Sequence, residues 1–354
     1  MPPIIDITNW NPQLWFSTGG TRNKKYIQSP EGVFYYFKKS YKTEGRDYFF
    51  EFWSEVIATQ VGVHLGFDML EYIAAIDNQE MGCLSISMIK PDGEELIEGG
   101  KYLQAYENRF NPEVKDGRNL YSFQLIEKAL IKFKLNDYME HIIEIIIFDS
   151  IIGNGDRHQE NWAFINQITM TTSLLVEVEK SVKQGTFEKM PGFIKWVYKR
   201  FVDFEKKKMK PEATAAKLIL QNTKGFAPIY DSGSSLGREL TDEKVKSMLT
   251  NDLEIESYIN RGVSEIHWEQ EKLNHFELIE KLLMSSYKEV TLKIISRVVS
   301  KFDNKIINEI LTTIDKDVSS LTEKYKLKTE RKQLILKLIT LRFERLKKIH
   351  SERI

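Results

Sequence analysis

A polar loop between two apolar segments is the part of the sequence best suited to chemistry. The apolar run 142–152 leads into a glycine-containing stretch that holds Asp156, His158 and Asn161. Polar side chains packed between buried segments cost free energy unless they are hydrogen-bonded or bind a ligand. A carboxylate can accept the proton of an attacking hydroxyl, and an amide oxygen can hold Mg²⁺. The loop is therefore a candidate site for phosphoryl transfer.

The spacing within this loop and a second acidic segment support that chemistry. Asp156 and Asn161 are five positions apart, the separation between the proton-accepting aspartate and the metal-binding asparagine of phosphotransferase loops. Asp231 follows the apolar, strand-like piece 226–230 and precedes a turn rich in glycine and serine, a context that suits a second metal-binding carboxylate. His158 is a candidate to orient Asp156 or to contact phosphate. Either segment alone is compatible with a structural turn, but together they predict an ATP- and Mg²⁺-dependent phosphotransferase.

A lysine at the end of the first aromatic strand is a candidate to bind nucleotide phosphates. Alternation does not distinguish Lys38 from Lys39, because the flanking residues are apolar on both faces. The periodicity of 47–63 predicts a helix that would supply an acidic partner. Glu55 lies near the edge of its apolar stripe, whereas Glu51 lies nearly opposite. Glu55 is therefore the predicted partner of the lysine.

Short strands separated by turns dominate the first part of the chain, and helices follow. Residues 25–27 and 32–37 predict a β-hairpin, and residues 82–89 predict a further strand. The apolar run 142–152 predicts a buried helix. The apolar residues between 335 and 349 recur at three- and four-residue steps, which predicts a helix packed on the larger part of the protein.

This order of elements predicts an α+β protein with the bilobal architecture of protein kinases. We expect a small β-rich N-lobe, residues 1–95, and a larger, mainly helical C-lobe, residues 96–354. The charged stretch at about 171–221 predicts an insertion within the C-lobe. ATP would bind between the lobes, with adenine against the backbone of Met88 and Ile89. The turn 17–22 would cover the phosphates through its backbone amides and the residues Gly19, Gly20, Thr21 and Arg22.

Composition and missing motifs argue against several classes of function. The 354 residues carry no formal net charge, which argues against direct nucleic-acid binding and against an anionic membrane surface. The single cysteine, Cys83, excludes an intramolecular disulfide and favours the cytoplasm. No apolar run approaches the roughly 18 residues of a membrane-spanning helix. Histidines at metal-ligand spacing, a GxxxxGK[ST] loop and a GxSxG elbow are absent from the sequence.

These motifs resemble those of one kinase family. Residues 148–162 resemble the catalytic loop of the HipA-like kinases, including the smaller CtkA-like serine/threonine kinases. Residues 227–237 are similar to their metal-binding segment, and Phe37-Lys38-Lys39-Ser40 with the following helix resembles their nucleotide lysine and its partner. The order Asp156-Arg157-His158 also resembles the phosphatidylinositol 3- and 4-kinases. The resemblance spans roughly residues 15–240.

The resemblance implies a role for each matching residue. Lys38 would contact the α- and β-phosphates with Glu55 as its partner, Asp156 would be the base, and Asn161 with Asp231 would hold Mg²⁺. A protein serine or threonine would be the acceptor, and an antitoxin-like regulator is a candidate partner. Autophosphorylation in the glycine-containing turn has three candidate acceptors, which are Ser17, Thr18 and Thr21.

The sequence departs from ordinary protein kinases in the separation of its two motifs, and two alternative functions remain open. Seventy positions separate Asn161 from Asp231, far more than in ordinary protein kinases. A lipid or small-molecule kinase of related fold is the alternative within enzymes. A catalytically silent binding module built on a kinase fold is the alternative from another class.

Overall fold

The computed structural model of the protein describes most of the chain. The described residues are 3–13, 24–44, 46–90, 93–111, 113–114, 117, 119–167, 181, 192, 195 and 222–353. The predicted glycine-containing turn, with Gly19, Gly20, Thr21 and Arg22 and the acceptor candidates Ser17 and Thr18, lies outside these residues. The predicted insertion at about 171–221 also lies outside them, apart from residues 181, 192 and 195.

The chain divides into two compact units, each built from separate stretches of sequence. The first unit comprises Met1–Ser87, Glu140–His158 and Pro228–Ile354. The second unit comprises Met88–Met139 and Gln159–Ala227. These units are defined by compactness, so a boundary between kinase lobes near residue 95 stays a prediction.

A six-stranded sheet lies in the first unit. Its order is β1-β7-β8-β4-β3-β2, with β1 parallel to β7 and the other neighbours antiparallel. The strands of this unit are β1 (Ile5–Asp6), β2 (Asn11–Pro12), β3 (Lys24–Gln28), β4 (Phe34–Lys39), β5 (Lys42–Thr43), β6 (Arg46–Asp47), β7 (Tyr72–Asp77) and β8 (Glu80–Ile86), of which β5 and β6 form a separate pair. The antiparallel pairing of β3 with β4 confirms the predicted hairpin.

Helices make up most of the remaining described chain. They are α1 (Glu51–Leu65), α2 (Gly99–Tyr106), α3 (Phe123–Lys132), α4 (Met139–Ile152), α5 (Asp242–Thr250), α6 (Asp252–Arg261), α7 (His275–Leu283), α8 (Lys288–Lys301), α9 (Asn304–Thr313) and α10 (Thr329–Ser351), with short 3₁₀ helices at Asn136–Tyr138 and Ser320–Tyr325. The α+β class predicted from the sequence is confirmed. Within the described residues, no helix has both the length and the apolar character of a membrane span.

Helix α1 is buried on nearly all sides. It packs on β7 and β8 and also on α8 and α9. Phe52, Trp53, Val56 and Ile57, the apolar residues that predicted the helix, are all buried, and the Nε1 of Trp53 donates to the Tyr325 carbonyl oxygen at 2.7 Å. The helix begins four residues later than the predicted range 47–63 and ends two residues beyond it.

Two other predicted helices are confirmed. The run 142–152 lies in α4, where nearly every side chain is buried. The C-terminal stripe lies in α10, whose buried residues include Ile335, Ile339, Phe343, Leu346 and Ile349. Helix α10 packs on α5, α8 and α9, so its stripe faces other helices of the first unit.

A three-stranded antiparallel sheet lies in the second unit, in the order β11-β10-β9. Its strands are β9 (Glu94–Glu98), β10 (Ala163–Gln167) and β11 (Asn222–Phe226). Aromatic rings pack on it: Phe164 and Phe226 meet edge to face, and Trp162 stacks parallel to Phe226. Strand β10 begins one residue later than the predicted strand 162–165.

Two strand predictions were wrong at their ends. Of the predicted strand 226–230, only Phe226 lies in a strand, as the last residue of β11, and Pro228 has no N–H to continue the ladder. Instead, the N–H of Ile229 donates to the Asp68 carbonyl oxygen at 2.8 Å. The strand predicted over 82–89 ends at Ile86, and a bend follows it at Met88 and Ile89.

Candidate functional site

A buried lysine shared by two acidic side chains lies at the centre of the first unit. Strand β4 carries Lys38, which is 5% exposed. Its Nζ lies 2.6 Å from Oε1 of Glu55 on α1 and 2.6 Å from Oδ1 of Asp231. The other Glu55 oxygen, Oε2, accepts the backbone N–H of Ser232 at 2.7 Å. One ammonium thus joins the sheet, the helix and the segment that begins at Asp231.

The neighbouring lysine has a different environment. The Lys39 side chain is 42% exposed and pairs with Glu80, which is exposed as well. Lys38 instead lies opposite Cys83 of β8 and is buried. The structure therefore brings Lys38, rather than Lys39, to the acidic side chains.

Glu51 is buried, contrary to its predicted position opposite the apolar stripe. It accepts the N–H of Tyr41 at 2.7 Å and pairs with Arg238, whose guanidinium lies over the Tyr48 ring. The prediction failed because α1 packs on β7 and β8 and also on α8 and α9, so the part of the helix that carries Glu51 is covered as well. Glu51 and Glu55 are one helical turn apart, and they bind cations from different parts of the chain.

The loop with Asp156 begins where α4 ends. Gly153 takes the left-handed conformation, with φ of 70°, that closes many helices. The Asn154 side chain donates to Asp149 Oδ1 at 3.1 Å, and its Oδ1 accepts the N–H of Asp156 at 3.2 Å. The Asp156 carboxylate accepts the Ser234 hydroxyl at 2.9 Å, Oγ to Oδ2. The carboxylate is therefore held by a residue 78 positions later in the chain.

Arg157 ties this loop to the segment that begins at Asp231. Its guanidinium donates to both oxygens of Asp149, at 2.9 and 2.8 Å, and also to the carbonyl oxygen of Tyr230. It reaches the Ser232 hydroxyl at 3.3 Å. Burial raises the pKa of Asp149, and the Arg157 charge opposes that rise. No role was predicted for Arg157 from the sequence, although an arginine that closely follows an aspartate of a buried helix can indicate a buried ion pair.

The segment 231–237 has an unusual backbone. Asp231 and Leu236 have positive φ angles of 55° and 57°. Conformations of this kind cost free energy in non-glycine residues and persist where surrounding contacts enforce them. Here the N–H of Leu236 donates to the Ile152 carbonyl oxygen at 3.0 Å, and the Ser235 hydroxyl donates to the Ser232 carbonyl oxygen at 2.6 Å.

Two carboxylates, those of Glu55 and Asp231, lie beside the single ammonium of Lys38. Burial raises the pKa of Glu55, the Lys38 charge opposes that rise, and the nearby Asp231 carboxylate adds to it. The Lys38 ammonium is thus within ion-pair distance of both carboxylates. The Asp231 side chain is the more open of the two, at 17% exposed, and is therefore the one with access to a further cation.

The remaining predicted residues fall into two groups. His158, partly buried, belongs to the first unit, where its N–H donates to the Asp156 carbonyl oxygen at 2.9 Å. Asn161, Met88 and Ile89 belong to the second unit; Asn161 is buried, whereas Met88 and Ile89 are partly exposed. Their roles in binding metal or adenine stay predictions.

The donor chemistry fits Mg²⁺. Asp231 offers a carboxylate and Asn161 an amide oxygen, both hard donors of the kind that Mg²⁺ prefers. Among the residues that the structure describes, no group of three or more His, Cys, Asp or Glu side chains forms a metal cage. A magnesium site that includes substrate phosphates does not require such a cage, since Mg²⁺ is commonly held by one or two carboxylates plus phosphate oxygens.

Comparison with known proteins shows similarity in structure. No family model and no curated protein sequence matches the chain. The fold is similar to that of the proinflammatory kinase CtkA of Helicobacter pylori, with a TM-score of 0.68 and 16% identity over 99% of this chain and 98% of that one. HipA of Shewanella oneidensis MR-1, solved with HipB and operator DNA, matches with a TM-score of 0.46 and 10% identity over 96% of this chain and 66% of that one. The match to CtkA confirms the predicted kinase-like fold.

Proposed function

We propose that the chain is an ATP- and Mg²⁺-dependent serine/threonine protein kinase of HipA-like type. The observation that carries this proposal is the Lys38 ammonium, buried and shared by Glu55 and Asp231 at 2.6 Å from each. An isolated structural ion pair would need one carboxylate. A buried lysine fixed by one acid and bordering a second, more exposed acid suits a site that receives phosphates and a metal ion together.

Each residue would have a distinct task. Lys38, held by Glu55, would bind the α- and β-phosphates of ATP. Asp231 and Asn161 would hold Mg²⁺, which supplies positive charge to offset that on the transferred phosphoryl group. Asp156 would accept the proton of the acceptor hydroxyl, whose oxygen bonds to the γ-phosphorus as the bond to the β-phosphate oxygen breaks.

The contacts of Asp156 support its role as base. Its Oδ2 accepts the Ser234 hydroxyl at 2.9 Å, a contact that helps to orient the carboxylate. The same segment, 231–237, carries both Ser234 and Asp231. The base and the metal-binding carboxylate would therefore keep their relative positions, which proximity catalysis requires.

The wider setting belongs to the same proposal. A protein hydroxyl is the proposed acceptor, a cytoplasmic location would provide ATP, and an antitoxin-like regulator is a proposed partner. HipA was solved with its partner HipB, but the weak structural match to HipA carries no argument for a regulator of this chain.

A transfer assay with labelled ATP tests the function. We expect Mg²⁺-dependent transfer to a serine or threonine of a protein, and Asp156→Asn should lower it by about 10³-fold or more, since such a change removes the base and leaves the shape. Asp252→Asn is the matched control, because that side chain is 84% exposed and lies outside the site.

Measuring nucleotide binding separates the binding of Mg-ATP from the transfer of the phosphoryl group. In a thermal-shift titration, Asp156→Asn should still be stabilised by Mg-ATP, because Lys38 and Asp231 are intact. Wild-type turnover in Asp156→Asn would remove Asp156 from the mechanism. Failure of the wild-type chain to bind Mg-ATP would favour a silent binding module, and transfer to lipid but not to protein would favour a lipid kinase.

A further inference from the structure

An arginine of the C-terminal helix lies beneath the loop that carries Asp156. Arg342 of α10 is 3% exposed, and its Nη1 donates to the Ser150 carbonyl oxygen at 3.3 Å. Within the described part of the chain, no carboxylate lies within ion-pair distance of this guanidinium. A buried cation without a paired acid is costly, so its position calls for a physical reason.

The end of α4 supplies that reason. The last carbonyl groups of a helix have no partner within the helix, and they carry partial negative charge. In α4 the Asp149 carbonyl oxygen accepts the N–H groups of Gly153 and Asn154, and the Ile152 carbonyl oxygen accepts the N–H of Leu236. The Ser150 carbonyl oxygen is left to Arg342. The guanidinium therefore supplies the partner for one carbonyl group at the helix end from which the loop departs.

The same guanidinium also packs against the first residue of the loop. A Cβ built on Gly153 would lie 2.6 Å from Nη2 of Arg342, and one built on Gly262 would lie 3.3 Å from it. Gly153 thus leaves room for the arginine in addition to adopting its positive φ. Asp156 follows only three residues later, so a shift of Gly153 would be transmitted to its carboxylate.

Charge at this position is retained despite burial. Burial lowers the pKa of Arg342 to about 10, which still leaves the guanidinium charged at neutral pH. Burial also lowers the pKa of the nearby His275 to about 3, so that imidazole is neutral. Arg342 is therefore the cation that faces the end of α4.

We propose that Arg342 is a positioning residue, which fixes where the loop 153–158 leaves α4 and thereby where Asp156 stands. Its kinetic consequences rest on the proposed kinase function, whereas its effect on the loop does not. The loop can therefore be tested by a measurement that needs no activity.

Hydrogen–deuterium exchange provides that measurement. Arg342→Met keeps an unbranched side chain and removes the donors. We expect faster exchange at the amides of Gly153 and Asn154, with unchanged exchange in the core of α1. Arg345→Met is the matched control, because that guanidinium lies about one turn further along α10, over the Phe276 ring, and donates to the Asn260 side chain. It should leave the exchange of the loop unchanged.

Steady-state kinetics provide a second test. Arg342→Met should lower kcat by about 10- to 100-fold with KM for ATP changed less than about threefold, because a displacement of about 1 Å at a catalytic group has this effect. Arg342→Lys keeps a cation near Ser150 and should therefore retain a higher kcat than Arg342→Met. If the methionine variant does not fold, the comparison is made between Arg342→Lys and the wild-type chain.

Specific results would overturn the proposal. Uniformly faster exchange along the whole chain, or exchange at Gly153 and Asn154 equal to that of Arg345→Met, would show that Arg342 contributes to stability alone. Equal kcat in the Arg342→Met and Arg345→Met variants would do the same. If the wild-type chain transfers no phosphate, the proposed function fails, and the exchange result still decides the role of Arg342.

Discussion

Replacing Lys38 by methionine tests the electrostatics of the site most sharply. The substitution keeps a long apolar stem and removes the ammonium that lies 2.6 Å from both Glu55 and Asp231. Glu55 would then be a fully buried carboxylate that has lost its cation and still accepts the backbone N–H of Ser232. The folded state should therefore lose stability at neutral pH.

The size of the loss follows from burial. At 2.6 Å and an effective dielectric constant of about 20, each charge contact has a gross energy of about 6 kcal/mol, most of which offsets desolvation. Removing one partner of a buried pair costs about 3–5 kcal/mol. We expect that loss in the free energy of unfolding, chiefly from Glu55, since Asp231 is partly exposed and can regain water.

The loss should depend on pH. Burial already raises the pKa of Glu55, and removal of Lys38 takes away the charge that opposes the rise. A carboxyl group with a raised folded-state pKa binds more protons in the folded than in the unfolded chain, so stability falls as pH rises above the ordinary glutamate pKa of about 4.3. The gap between wild type and Lys38→Met should be small near that pH and widen towards neutrality.

Denaturant unfolding followed by fluorescence at several pH values measures the gap. Lys39→Met is the matched control, because Lys39 pairs with Glu80 on the surface, and it should change stability by less than about 1 kcal/mol. Adding Glu55→Gln to Lys38→Met should restore about 2–3 kcal/mol, because the buried charge is gone. Equal losses for the two lysine variants, or no recovery in the double variant, would refute this reasoning.

Three further predictions concern the segment 231–237 and its metal. Ser234→Ala should lower kcat by about tenfold and leave the affinity for Mg-ATP unchanged, because it removes the hydrogen bond that helps to orient the Asp156 carboxylate. Steady-state kinetics, with Ser234→Thr as the comparison, measure this effect, and an unchanged kcat would contradict it. Gly233→Ala should reduce both the free energy of unfolding and the affinity for nucleotide, since the new Cβ would lie 2.9 Å from Oε1 of Glu55. Denaturant unfolding and thermal-shift titrations measure the two effects, and wild-type values in both would contradict the prediction. Chelation of Mg²⁺ should abolish transfer and restored Mg²⁺ should recover it, so transfer that persists in excess chelator would exclude the proposed metal role.

Much of the fold follows from local patterns in the sequence. The hairpin, helix α1 and the buried helix α4 were predicted because their periodicity or apolar content is strong over a short range. The strand predicted over 226–230 ends early, because Pro228 cannot donate to a ladder and Ile229 bonds to Asp68 instead of to β10. Apolar content alone does not reveal which backbone groups a segment will meet.

The candidate site was predicted in part, and the limit has a physical origin. The structure places Glu55, the partner predicted from the helical stripe, beside Lys38. Alternation left Lys38 and Lys39 equivalent, because the residues that precede them are apolar on both faces of β4. The contacts of Arg157 and Arg342 join residues far apart in the chain. No spacing rule gives such contacts, so only the folded structure shows them.

A crystal structure with Mg²⁺ and a non-hydrolysable ATP analogue tests the central claim most directly. We expect Mg²⁺ bound by oxygens of Asp231 and Asn161, Lys38 on the α- and β-phosphates, and the γ-phosphate facing Asp156. A nucleotide bound elsewhere, or a metal ion held without Asp231, would contradict it.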